Sequence, residues 1–267
     1  MRVTILASGS GGNATLVQAG GARVLVDAGI GPRVIERRMR RVFGRALGVD
    51  AIVTTHPHGD HVGRVEPCAR HFDAPVFLTA ATQRRLRLGH VPTRVFGRDA
   101  PFAIGPLVIE PMPVPHDAPQ VALVFAHRGA RAALVTDLGH VPRGLAGHLA
   151  DCQLVLLESN HDPAMLEAGP YPAFLKRRIA SRLGHLSNQQ AAHLLSRLGP
   201  GVRQVVLMHL SERCNAPMLA VGSARAALRG RRVKVRVAHQ DEPLDLTVRP
   251  GPRVRRPAHE AQLALPL

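Results

Sequence analysis

Short apolar runs alternate with glycine-rich turns at the start of the chain, the pattern of a meander of strands. Val3-Thr4-Ile5-Leu6, Thr15-Leu16-Val17 and Arg23-Val24-Leu25-Val26 read as strands, and Ser8-Gly9-Ser10-Gly11-Gly12-Asn13 as the first turn. The third run ends at Asp27-Ala28-Gly29. From Pro32 to Phe43 the apolar period becomes that of a helix, with Ile35, Met39 and Val42 on one face. Arg33, Arg37, Arg40 and Arg41 lie off that face, which makes them either a solvated surface or a phosphate-contacting one.

Ala51–Thr55 reads as a strand, with a helix from Val62 onward and a further strand at Pro75–Leu78. Pro101–Pro115 reads as strands broken by prolines, and Val121–Phe125 pairs with Ala132–Thr136 across Arg128-Gly129. Leu154–Leu157 is a buried strand ending at Glu158, and the spacing of Leu175, Ile179 and Leu183 predicts a helix over Ala173–Leu183. Ser187-Asn188-Gln189-Gln190 has capping-box form, opening a helix through Leu198 that Gly199 ends. Gln204–Met208 runs as a strand into His209, and Arg232–Val237 alternates as a half-exposed strand. No internal repeat is present. Periodicity stops at Arg249, where Arg249-Pro250-Gly251-Pro252-Arg253-Val254-Arg255-Arg256-Pro257 reads as a disordered basic tail. The expected organisation is one α/β domain, 1–248, and a tail, 249–267.

The 267 residues, 45% hydrophobic, suffice for one large α/β core. The start of the chain has no signal-peptide pattern, and no apolar run approaches the ~18 residues of a membrane span. Cys68, Cys152 and Cys214 are scattered and read as reduced thiols of a cytoplasmic protein. A net charge of +16 points to a polyanionic partner. Lys176 and Lys234 are the only lysines, so the arginine richness is also what a GC-rich genome would produce. No Trp and one Tyr leave little for base stacking, so phosphate contacts would carry nucleic-acid binding.

The chemistry concentrates in Thr54-Thr55-His56-Pro57-His58-Gly59-Asp60-His61. Histidine nitrogens and carboxylate oxygens suit zinc and other divalent transition metals. So many candidate ligands in one loop suggest two ions, an arrangement that activates water for attack at a phosphoryl or acyl centre. His116, Asp137 and His209 recur where later strands end, at the positions where a sheet edge forms a pocket.

This order of motifs resembles the metallo-β-lactamase superfamily over nearly the whole chain to about residue 215. The resemblance implies a four-layer αββα sandwich. It also implies one ion on His56, His58 and His116 and a second on Asp60, His61 and His209, with Asp137 bridging and Asp27 supporting the loop. Two divalent metal ions, zinc or manganese, are therefore expected. Leu157-Glu158-Ser159-Asn160-His161-Asp162, Gly184-His185-Leu186-Ser187-Asn188 and His209-Leu210-Ser211 resemble the phosphodiesterase and nuclease branch. Glu158 and His185 stand where tRNase Z-like enzymes orient a histidine on the leaving group, so Asp60, Glu158 and His185 are the expected catalytic residues. The Gly-rich turn, Tyr171-Pro172-x-x-Leu175-Lys176-x-Arg178-Ile179 and Asn215 narrow the resemblance to the YycJ/WalJ-like group, associated with exonuclease activity on DNA.

The C-terminal Gln262-Leu263-Ala264-Leu265-Pro266-Leu267 resembles the hexapeptide by which replication and repair proteins bind the DNA sliding clamp. Gln262 would anchor by hydrogen bonds, with Leu263, Leu265 and Leu267 supplying apolar contacts. The resulting expectation is a dinuclear metal phosphodiesterase, a DNA exonuclease of repair or replication. The alternatives are an RNA-processing nuclease, a small-molecule phosphodiesterase, and a non-catalytic clamp-associated binding protein.

Overall fold

In the computed structural model, residues 1–251 are described. The opening meander forms as the pattern predicts: β1 (Arg2–Ala7), β2 (Ala14–Ala19) and β3 (Ala22–Val26) pair antiparallel. Helix α1 (Pro32–Phe43) starts on its proline and stops at Gly44, whose φ of 73° ends the helix. Ile35 and Met39 are buried, while Arg33, Arg37, Arg40 and Arg41 face solvent. Strand β4 (Ala51–Val53) leads into the short helix α2 (Gly59–Val62), then α3 (Val65–Phe72), β5 (Val76–Thr79), α4 (Ala80–Gln83) and β6 (Thr93–Phe96). Strands β3, β4, β5 and β6 run parallel.

The second half repeats this plan. Strands β7 (Phe102–Ile104), β8 (Leu107–Val114), β9 (Gln120–His127) and β10 (Ala130–Val135) are antiparallel. After α5 (Leu145–His148), β11 (Leu154–Glu158) pairs parallel with β10. Helices α6 (Pro163–Ala168), α7 (Ala173–Ile179) and α8 (Asn188–Ser196) precede β12 (Gln204–Met208), α9 (Pro217–Ala227) and β13 (Lys234–Val237). The last described strand, β14 (Leu244–Thr247), returns to pair with β1, giving sheet orders β14-β1-β2-β3-β4-β5-β6 and β13-β12-β11-β10-β9-β8-β7.

Side chains alternate between two buried faces on the central strands, which is why these strands read as continuous apolar runs. Val24, Val26, Val53, Leu134, Leu156 and Val206 fill the space between the sheets. Leu25 and Ile52 face α1 and α3, whereas Val155, Leu157 and Leu207 face α8 and α9. The result is the expected αββα sandwich. Among the described residues no helix is long and apolar enough to cross a membrane, and the three cysteines are buried and free.

Local expectations needed correction in several places. The prolines do not break β8. From Glu110 on, it pairs only with β9, so Pro111 and Pro113 turn their N–H-less nitrogens to an open edge. The helix expected over Ala173–Leu183 stops at Ile179, because the chain folds back and the His185 N–H donates to the Ile179 carbonyl. Leu183 is left exposed. The strand expected to reach Thr55 ends at Val53, and the helix expected from Val62 is two helices, the first opening at Gly59.

One glycine fixes the first half against the histidine-rich loop. A Cβ on Gly29 would overlap the Asp60 carbonyl and come within 2.7 Å of the Asn13 nitrogen. Asn13 N–H donates to that same carbonyl at 2.7 Å, and Gly29 N–H to the Asn13 carbonyl at 2.9 Å. Replacing Gly29 by Ala is expected to lower stability by about 3 kcal/mol, or roughly 8 °C in Tm, through overpacking against backbone. Thermal unfolding followed by circular dichroism measures this, and a Tm within a degree of the parent would contradict it.

Candidate metal centre

The polar residues singled out by the sequence collect at one edge of the sandwich. Asp27 follows β3, the His56–His61 segment follows β4, His116 follows β8, Asp137 follows β10, Glu158 ends β11 and His209 follows β12. Carboxyl ends of parallel strands are where α/β sheets place ligands. Asp27, Asp137 and His209 take left-handed backbone angles, with φ of 59°, 54° and 54°. Each such non-glycine residue costs about 1–3 kcal/mol and persists only where its surroundings over-determine it.

His56, His58 and His116 form one donor group. Thr55 Oγ1 donates to Asp27 Oδ2 at 2.9 Å and lies 3.0 Å from His56 Nδ1. The hydroxyl proton being committed to Asp27, the oxygen accepts from His56 Nδ1–H, which leaves His56 Nε2 as a lone pair. That nitrogen is buried and without a hydrogen-bond partner. His116 Nδ1–H donates to the Gly184 carbonyl at 3.1 Å, so its Nε2 is likewise a lone pair, 3.2 Å from His58 Nδ1. On the other side of its ring, His58 Nε2 meets Asp117 Oδ1 at 3.2 Å, and Asp117 is held by Arg178 of α7.

Asp60, His61, Asp137 and His209 form a second group. His61 Nδ1–H donates to Asp27 Oδ2 at 2.7 Å, and its Nε2 lies 3.1 Å from Asp137 Oδ2 and 3.3 Å from Asp60 Oδ2. The His209 Nε2 atom is a second buried nitrogen without a hydrogen-bond partner, 3.4 Å from Asp60 Oδ2. The imidazole centroids of His56 and His61 are 4.1 Å apart, so the two groups are contiguous.

Glu158, His185, Asp137 and His209 make a third cluster that shares two members with the second. Glu158 Oε1 accepts from His185 Nδ1–H at 2.7 Å, while its Oε2 accepts from the N–H groups of Leu138 and Leu186. His161 is buried nearby without joining any of these groups.

The charges are mutually dependent. Burial opposes ionisation of Asp137, but His209 and His61 hold its carboxyl well below the usual carboxylate range. Burial likewise opposes charge on Glu158, and His185 brings its pKa down to about 2. His209 is pushed up to about 10: burial disfavours its charged form, and Asp137, Asp60 and Glu158 together outweigh that. For His56, burial wins, with the neighbouring His61 adding to it, and the imidazole is held neutral.

This donor set fits divalent metal. Two of its buried imidazole nitrogens, His56 Nε2 and His209 Nε2, have no hydrogen-bond partner, which costs free energy unless something binds them. An all-nitrogen group beside a mixed nitrogen–oxygen group matches zinc and similar ions. The supporting contacts of Asn13, Thr55 and Asp117 escape the sequence reading. Asn13 Nδ2 reaches Asp60 Oδ2 at 3.2 Å and His61 Nε2 at 3.0 Å.

Comparison with known proteins identifies the family. Residues 22–210 match the family described as the Beta-lactamase superfamily domain, a span that encloses Asp27 through His209. The chain is 32% identical to Exodeoxyribonuclease YycJ of Bacillus anthracis, covering 82% of this chain and 86% of that one. It is 34% identical to Exodeoxyribonuclease WalJ of Streptococcus pneumoniae, covering 82% and 85%. Among solved structures, Zn(2+)-bound PqqB from Methylobacterium extorquens shares the fold, with a TM-score of 0.71 at 17% identity over 92% of this chain and all of that one (100%). The chain belongs to the metallo-β-lactamase superfamily, within its YycJ/WalJ-like group, and is a metal-dependent hydrolase.

Proposed function

We propose that the protein is a dinuclear phosphodiesterase that degrades DNA as an exonuclease. The observation that carries this reading is the 2.7 Å hydrogen bond between Glu158 and His185 beside both donor groups. In this reading His56, His58 and His116 would hold one divalent ion, zinc or manganese, and Asp60, His61 and His209 the other, with Asp137 available to both. Bound there, the ions would supply charge neutralisation on the phosphate oxygens and a more acidic water.

The chain's own groups do the rest. Asp27 fixes His61 through Nδ1 and Thr55 fixes His56, leaving each Nε2 facing the centre. Asp60 presents its Oδ2 between His61 and His209, where it also orients the attacking water. Glu158 keeps a proton on His185 Nδ1, and the opposite Nε2–H is the proton passed to the departing alkoxide. DNA as substrate is supported by the names of the YycJ and WalJ relatives and by the +16 charge.

The Gln262–Leu267 segment lies outside the described residues, so its reading as a sliding-clamp ligand rests on sequence. A tethered nuclease of this kind fits a role in DNA repair or replication.

Replacing His58 by Ala is expected to remove bound metal, measured by elemental analysis. DNA hydrolysis should fall by more than the roughly 10–100-fold typical of losing a supporting residue. Undiminished nuclease rate in metal-free protein would refute the mechanism. His185→Ala should slow DNA hydrolysis about 10²–10⁴-fold while slowing bis(p-nitrophenyl) phosphate far less, because nitrophenolate leaves without a proton. Equal losses on both substrates would remove His185 from that role. Deleting residues 262–267 should abolish clamp binding in surface plasmon resonance while oligonucleotide hydrolysis persists; unaltered clamp affinity would dismiss the peptide.

A further inference from the structure

We propose that a groove beside His185 binds the nucleotide on the leaving side of the scissile bond, with Arg182 on its phosphate. This rests on the phosphodiesterase reading above. The groove, largely open to solvent, offers about 660 Å³ between the loop after β10 and the first turns of α8, and His140, Arg182, Gln189 and His193 line it. That volume falls within the ~300–1,000 Å³ typical of ligand clefts.

Its position follows from the chain path. Arg182 and Ser187 both line the groove, and His185 sits between them in sequence with its Nδ1 on Glu158. The segment that carries His185 thus forms one wall of the groove, and in this proposal a group released past His185 moves along that wall. His140 enters it from the loop that carries Asp137.

Its walls are preorganised. A Cβ on Gly139 would collide with the Arg182 carbonyl, so the two segments touch backbone to backbone. His140 Nδ1–H donates to that carbonyl at 2.8 Å, leaving Nε2 to accept from Arg182 Nη2 at 3.3 Å. The guanidinium is thus steered by an imidazole rather than by a carboxylate. Among the described residues no carboxylate pairs with Arg182, whereas the charge of Arg178 is met by Asp117. No carboxylate lines the groove either. A guanidinium with free donors, flanked by imidazole and carboxamide groups, suits a phosphate followed by a base edge.

The test is fluorescence anisotropy of a short labelled single-stranded DNA in EDTA, with Arg182→Ala and Arg182→Lys. Arg182 is exposed, and circular dichroism checks that both variants fold. Arg182→Ala should weaken binding about tenfold, and the slope of log K against log salt should fall by roughly 0.7, one phosphate contact on a single strand. Arg182→Lys should recover part of both. In hydrolysis of the same DNA with Mn²⁺, KM should rise more than kcat falls. Wild-type Kd and salt slope in Arg182→Ala, with the parent protein still cleaving DNA, would overturn the groove and leave the phosphodiesterase reading intact. A parent protein inactive on DNA and on bis(p-nitrophenyl) phosphate would overturn both.

Discussion

Asp27, Asp137 and Glu158 are carboxylates placed where water hardly reaches, and imidazoles and amides make that burial possible. Asp27 takes two donors from Thr55 and one from His61. Glu158 takes two backbone amides besides His185 and His209. Asp137 lies between His61 and His209 and accepts from its neighbour Thr136. Breaking one partnership in such a network leaves a buried charge uncompensated, at a cost of about 3–5 kcal/mol. The groups must therefore arrive together, and the strands that deliver them must hold their register.

Backbone strain tells the same story. The left-handed angles at Asp27, Asp137 and His209 occur one or two residues beyond β3, β10 and β12. Each strand is paired on both sides and packed on both faces, so the strain falls on the residue that leaves the sheet. The sandwich thus acts as a rigid mount for the site: of the five left-handed non-glycine residues among those described, three sit at the edge where chemistry is done, the other two being Asp73 after α3 and Arg128 in the turn between β9 and β10.

Much of this was readable from the sequence, for identifiable reasons. The strands β1, β2, β3 and β12 and the helix α1 follow from local period and punctuation, which the chain carries within a few residues. The His56–His61 cluster is dense enough to be recognised alone, and His116, Asp137 and His209 stand out as polar residues at the ends of apolar runs. What escaped depends on distant approach. Strand β14 exists because β1 offers it an edge, and α7 ends early because Gly184 and His185 fold back on it. The contact of Asn13 with His61, like that of Asp117 with Arg178, joins segments that no window of sequence brings together.

The 3.2 Å approach of His58 to His116 joins the first sheet's loop to the end of a strand in the second, and His61 meets Asp137 in the same way. Ions held by such pairs would act as cross-links between the halves of the molecule, in a chain whose cysteines are all free. A disulfide closing a loop of ~100 residues removes about 4–5 kcal/mol of entropy from the unfolded chain, and a coordinate bond that excludes the unfolded state acts in the same direction. Metal supply would then govern the lifetime of the folded protein as well as its turnover. Chelation would remove those cross-links and leave the two sheets joined by their shared apolar core and by a few hydrogen bonds such as Gln204 to Thr247 and His209 to Ser8.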